Sequence, residues 1–248
     1  MDRAPSQCAP KWTGEPAAGL PSVRSVPLLR PVTEPRQRVP RLVAGLVTCG
    51  LGIAFMVAAD LGLPPWVVLD QGIHEHTGIP IGSVSIIVGA LVLLAWLPLR
   101  ERPGLGTVLN IVIIGTTTDL ALLVLDTPGS PAGRVAYMAV GAFLFGPGSG
   151  LYIGAGLGPG PRDGLMTGLA ARGVGSIRLV RTGIELTALG AGWLLGGSVG
   201  LGTIVFALSI GPNVQAFLPR LTWRPSAAVA SGPEPLVEGG PQPAAELA

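Results

Sequence analysis

Six apolar runs joined by short connections are the feature that most narrows what this 248-residue chain can fold into. They fall at about 42–59, 81–99, 105–125, 135–155, 179–195 and 201–218. Their lengths lie close to the ~17–25 residues with which a helix crosses a ~30 Å hydrocarbon layer. In that layer no water satisfies an open backbone, so helices are the simplest spanning solution. Only 12% of the residues are charged, against about 25% in soluble domains. Gly (38) and Pro (25) are abundant, as they are in transmembrane helices. The pattern predicts an all-α membrane protein with six transmembrane helices. The fifth run is the shortest and carries Arg181 and Glu185.

Residues 1–38 are Pro-rich and polar, and residues 222–248 are rich in Pro, Ala and Gly. Both read as disordered tails, because neither has enough apolar content to offset the entropy of ordering. The membrane domain is expected over 39–221. The opening MDRAPSQCAP has no apolar stretch behind it, so no signal peptide is expected. Arginines alternate along the connections. Arg36, Arg38 and Arg41 precede the first run, Arg100 and Arg102 follow the second, Arg162, Arg172 and Arg178 follow the fourth, and Arg220 and Arg224 follow the sixth. The remaining connections hold only Arg134. Under the positive-inside rule this places both termini in the cytoplasm.

The chain also repeats itself. Displaced by 96 residues (157 − 61), Leu61-Gly62 falls on Leu157-Gly158, Pro65 on Pro161, Leu69 on Leu165 and Gly72 on Gly168. The tetrad Gly104-Leu105-Gly106-Thr107 falls on Gly200-Leu201-Gly202-Thr203. Each half, about 41–126 and 137–220, holds three runs. An odd number sends the second half into the membrane from the other side. The expected fold is therefore two inverted three-helix repeats, a common transporter architecture. Each repeat also holds a short Gly/Pro-interrupted segment, LGLPPWVVLDQGI or LGPGPRDGLMTGL. Neither is long enough to span, so both read as broken, re-entrant or interfacial helices. Such paired segments are the usual sequence pointer to a transporter site.

These same residues carry a resemblance. LGLPPWVVLDQG, the two GLGT tetrads, GLGPGPRDGLM and VRTGIE are similar to the YczE/YitT-type bacterial integral membrane proteins over about residues 41–220. The resemblance implies a small multi-span protein of the bacterial inner membrane and implies no particular substrate. Relatives often carry Asp after the Trp of the first motif. Here that position is Val67, while the second half keeps Asp163.

Five ionisable residues are candidates for binding a substrate. Arg162 offers a cation beside Asp163, and Asp163 suits the N-cap of a short helix because its oxygen accepts an orphan N–H. Arg181 and Glu185 lie four apart and share a helix face, either as a site or as a neutralising ion pair. Asp119 is either a ligand at a cavity wall or an acid that reaches the outer interface beside Asp126. Asn110 and Asn213 read as interhelix hydrogen-bonding groups, and Gly45, Gly52, Gly89, Gly141 and Gly190 as close helix contacts. His74 and His76 have no third ligand and read as part of a solvated outer loop rather than a metal site.

Cys8 and Cys49 imply neither disulfide framework nor metal cluster. GAGLGPG lacks the context of a phosphate-binding loop, and no nucleophile–base grouping stands out. No enzyme activity and no cofactor are expected. A net charge of +2 gives no case for nucleic acid. The expected partners are the lipid bilayer and an unknown small solute, and self-association into a homo-oligomer stays open. A small-solute permease or exporter with its site between the repeats is the leading reading. A non-transporting accessory or partner-docking protein is the alternative.

Overall fold

The computed structural model describes residues 34–99 and 103–223. Of the expected tails at 1–38 and 222–248, residues 1–33 and 224–248 lie outside the described residues, and with them Cys8 and Arg224; so do Arg100 and Arg102. The described residues form helices α1 (Pro35–Ala59), α2 (Pro65–Thr77), α3 (Ile81–Leu94), α4 (Trp96–Leu99), α5 (Leu105–Leu122), α6 (Pro131–Gly154), α7 (Pro161–Ala171), α8 (Ile177–Leu194) and α9 (Leu201–Leu221), with no strand among them. Four of these open on a proline in the first turn, where its missing N–H costs nothing and its fixed φ suits the helix. Pro35 therefore starts α1 inside what composition alone assigned to the tail.

Among the described residues, five helical segments are long and apolar enough to cross a membrane: Pro35–Ala59, Ile81–Leu99, Leu105–Leu122, Pro131–Gly154 and Leu201–Leu221. The expected fifth span is not among them. Its helix, α8, has 18 residues but carries Arg178, Arg181 and Glu185, and such charges are costly at bilayer depth. The broken segments form α2 and α7, of 13 and 11 residues. At 1.5 Å per residue these reach only ~20 Å and ~16 Å, short of a crossing.

The helix order repeats with the sequence. Pro35 and Pro131, Pro65 and Pro161, Ile81 and Ile177, and Leu105 and Leu201 begin corresponding helices, each pair 96 residues apart (131 − 35, and likewise for the others). The two halves meet along α1 and α6. A Cβ on Gly45 would stand 2.7 Å from the Gly148 carbonyl oxygen, and one on Gly141 would stand 2.6 Å from that of Gly52. Gly141 is the counterpart of Gly45, and Gly148 of Gly52, so the repeat exchanges one contact for the other. A two-fold relation between like units produces such reciprocity.

The Leu-Gly and Gly-Leu-Gly-Thr motifs meet in the same crossed fashion. Gly202 N donates to the Leu61 carbonyl at 2.7 Å, and Gly106 N donates to the Leu157 carbonyl at 2.9 Å. Gly62 and Gly158 hold φ of 105° and 129°, a region that L side chains avoid. Thr107 and Thr203 accept the N–H of Gly104 and Gly200 at 3.1 and 3.2 Å. Each half thus closes the open N-terminus of the other half's GLGT helix.

The halves differ at their flanks. α3 packs along α5, with Gly82 against the Gly115 backbone and Gly89 3.0 Å from the Ile111 side chain, measured from an ideal Cβ. The Asp119 carboxylate accepts from Gly82 N at 2.6 Å and from the Ser83 hydroxyl at 2.7 Å. It caps α3 from a neighbouring helix and is neither a cavity ligand nor a surface acid. The counterparts α8 and α9 make no comparable packing. Asn213 joins helices as expected, donating to the carbonyls of Ala142 and Phe143 at 3.0 Å each. Gly190 does not: a Cβ there meets nothing within 4 Å. Arg134, the lone basic residue of its connections, pairs with Asp60 at 3.2 Å.

Gly141→Val therefore lowers the thermal stability of the detergent-purified protein by roughly 1–3 kcal/mol through overpacking, whereas Gly190→Ala leaves it unchanged or slightly raised because alanine favours helix. Thermal unfolding of the two variants side by side checks this.

Candidate functional site: a cavity between the halves

The first turns of α2 and α7 bring their proline ends to one cavity of about 400 Å³. Its wall draws on both halves, often at corresponding positions. Trp66 and Arg162 both line it, as do Val67 and Asp163, Ser85 and Arg181, Gly89 and Glu185, and Asn110 and Phe206. Each of these pairs is related by the same 96-residue displacement, so the cavity straddles the line about which the halves are related.

Trp66 and Arg162 meet face to face. The guanidinium carbon of Arg162 lies 4.6 Å from the Trp66 ring centroid, within cation–π range. Behind it stands Asp70, one turn along α2 from Val67. Its side chain is 1% exposed, and Oδ2 lies 3.8 Å from Arg162 Nη2. Trp66 Nε1 has no hydrogen-bond partner among the described residues, and neither Asp70 oxygen has one of good geometry. Burial pushes the Asp70 carboxyl up to about 6, with Arg162 and then Ser85 pulling it back down. The buried charge thus leans on a partner slightly beyond direct hydrogen-bond range.

Asp163 is exposed within this surround. Tyr152 donates its hydroxyl to Asp163 Oδ2 at 3.5 Å. Although its residue surface is open to the cavity, the enclosing wall desolvates the Asp163 carboxyl and raises it, opposed chiefly by Arg181 and then Arg162. On the far wall Arg181 Nε donates to Glu185 Oε1 at 2.9 Å.

Four of the five residues singled out in the sequence, Arg162, Asp163, Arg181 and Glu185, line this one cavity, and Asp119 stands outside it. Asp163 is not the N-cap of its helix. Gly160 takes that position, and Asp163 is the third residue of the first turn, where an acid still complements the helix dipole. Asn110 lines the cavity. His74 and His76 belong to the last turn of α2 rather than to a loop, with His74 Nδ1 2.6 Å from the Ile79 carbonyl. Sequence reasoning passed over Asp70, Trp66 and Tyr152. Asp70 had a signal: an acid one helical turn after the position where the first-half motif lacks its own, inside an apolar segment.

The family described as "Family of unknown function (DUF6198)" matches residues 36–219. The chain belongs to this family. It is 43% identical over 177 residues to an "Uncharacterized protein" of Haemophilus influenzae, covering 71% of this chain and 81% of that protein. It is 36% identical over 179 residues to the "Uncharacterized membrane protein YczE" of Bacillus subtilis, covering 71% of this chain and 83% of that one. No solved structure matches the chain significantly. The membrane character and the YczE-type resemblance read from the motifs both hold.

Removing Arg162 strands the buried Asp70 charge. Arg162→Leu is expected to destabilise the protein by about 3 kcal/mol, as breaking one side of a buried pair does. The double variant with Asp70→Leu recovers most of that loss. The raised Asp70 pKa sets the sign of the pH effect: the folded state binds the proton more tightly than the unfolded chain. Stability contributed by this group is therefore fullest at low pH and falls as pH rises through about 6. Thermal unfolding from pH 4 to 8 checks it, with a flatter profile for Asp70→Asn than for the natural chain.

Proposed function

We propose that this protein is a small-solute permease or exporter of the bacterial inner membrane. Its two halves are inserted with opposite orientation, with both termini cytoplasmic, and alternately open a shared cavity. The observation that carries this reading is the cavity itself, built from corresponding residues of both halves on the line that relates them. Transporters with inverted repeats hold their substrates in such a place, between broken helices whose N-termini face the ligand.

The difference between the flanks supports the same reading. In the first half α3 is held on α5 by Gly82, Gly89 and Asp119. In the second half the corresponding positions are Arg178, Glu185 and Gln215, and α8 stands off α9. Two like units in unlike arrangements describe one access state. Exchanging the arrangements describes the other: α8 closes on α9 while α3 parts from α5. The chemistry required is binding and release without covalent change, so no cofactor enters.

Three measurements test this. Single cysteines at Thr77 and Gly173, corresponding positions beyond α2 and α7, should react with an impermeant thiol reagent from opposite sides of the membrane. In a chain lacking native cysteines, the pair Ser83→Cys/Asp119→Cys should cross-link in the arrangement described here. The pair Leu179→Cys/Gln215→Cys should cross-link only when the flanks exchange, and either lock should stop saturable solute flux in proteoliposomes. Glu185→Gln should abolish that flux. Same-side labelling, or cross-linking at only one flank under all conditions, would favour an accessory membrane protein over a permease.

A further inference from the structure

We infer that the cavity selects an organic cation, bound between the Asp163 carboxylate and the aromatic wall. The inference rests on the permease reading only for passage of the ligand; binding is a separate question.

Charge is the first argument. Three acids, Asp70, Asp163 and Glu185, and two arginines, Arg162 and Arg181, line or back the cavity among the described residues. Arg181 is engaged by Glu185 at 2.9 Å, and Arg162 faces Asp70 at 3.8 Å. Counted this way, Asp163 is the acid left over. It is the exposed one of the set that stands beside the first turns of the half-helices. A charged ligand that neutralises it brings the site to zero net charge; an anion makes the imbalance worse. Arg162 and Arg181 both lie near Asp163 and oppose the upward push that desolvation gives its carboxyl; a bound cation would favour the carboxylate further.

The wall is the second argument. Trp66, Tyr152, Phe145 and Phe206 contribute rings to the lining. A ring face attracts a cation through its quadrupole, and more strongly where water is displaced. The protein already uses this chemistry on itself, because the Arg162 guanidinium rests on Trp66 between carboxylates. A resident cation in the wall marks the environment as one that stabilises a delocalised or weakly hydrated positive charge. The volume, about 400 Å³, falls within the ~300–1,000 Å³ usual for small-molecule pockets. A bare inorganic ion would leave most of it, and most of the aromatic surface, unused.

Tetraphenylphosphonium and tetraphenylborate have nearly the same shape and opposite charge, so they separate charge selection from fit. Binding of each to the full chain in lipid nanodiscs is measured by equilibrium dialysis. The expected result is saturable binding of tetraphenylphosphonium, no saturable binding of tetraphenylborate, and at least a ten-fold weaker Kd for the cation in Asp163→Asn. Binding of tetraphenylborate as tight as that of the cation overturns the proposal. So does saturation by neither probe, or cation binding untouched in a well-folded Asp163→Asn. The comparison of the two probes on the natural chain stands even where the variant fails to fold. Cation binding without flux in proteoliposomes keeps this site and removes the permease.

Discussion

Two backbone hydrogen bonds decide how this chain is put together. Gly202 N–H to the Leu61 carbonyl and Gly106 N–H to the Leu157 carbonyl tie the loop after the first helix of each half to the last helix of the other. The N-terminus of a helix leaves four N–H groups without intrahelical partners. Each half therefore needs an acceptor, and the acceptor is supplied by its counterpart. Glycine is required on both sides, at Gly62 and Gly158 for their positive φ and at Gly106 and Gly202 for close approach. With those bonds made, the prolines of α2 and α7 follow within a few residues, and both short helices are aimed into the space between the halves.

The same symmetry explains why unlike residues gather there. A line relating two halves brings the residues that lie on it near their own counterparts, so Trp66 meets Arg162. Sequence divergence between the repeats then becomes chemical asymmetry within one site. Where the first half has Ser85 and Gly89, small enough for α3 to lie along α5, the second has Arg181 and Glu185. That exchange fills the gap between α8 and α9 with an ion pair and leaves it wider. The charge that keeps α8 from qualifying as an ordinary span is the same charge that furnishes the cavity wall.

Much of this was legible in the sequence, and the part that was not has physical causes. The repeat could be read because glycine and proline at fixed spacing are imposed by backbone geometry, which tolerates no substitute. The convergence of Arg162, Asp163, Arg181 and Glu185 followed from treating paired broken segments as half-sites. Asp119 was misread because a carboxylate that caps a helix from another helix has no local sequence signature; its partners, Gly82 and Ser83, lie 36 to 37 residues away. Asp70 has no obvious motif of its own: it sits within an apolar segment, and its pairing with Arg162 joins residues 92 apart (162 − 70). The fifth run carries Arg181 and Glu185 in its sequence, and the helix that forms there begins early enough to add Arg178.

The crossed bonds also bear on how the chain is made. When the ribosome has delivered only the first half, Gly106 N–H has no acceptor, because Leu157 does not yet exist. The first half alone therefore lacks the acceptor that its GLGT helix has in the full chain. A half-length product would have one remedy: the Leu61 carbonyl of a second copy, standing where Leu157 stands in the full chain. The geometry is that of a dimer of halves joined in one polypeptide, in which one half keeps glycines where the other holds charges.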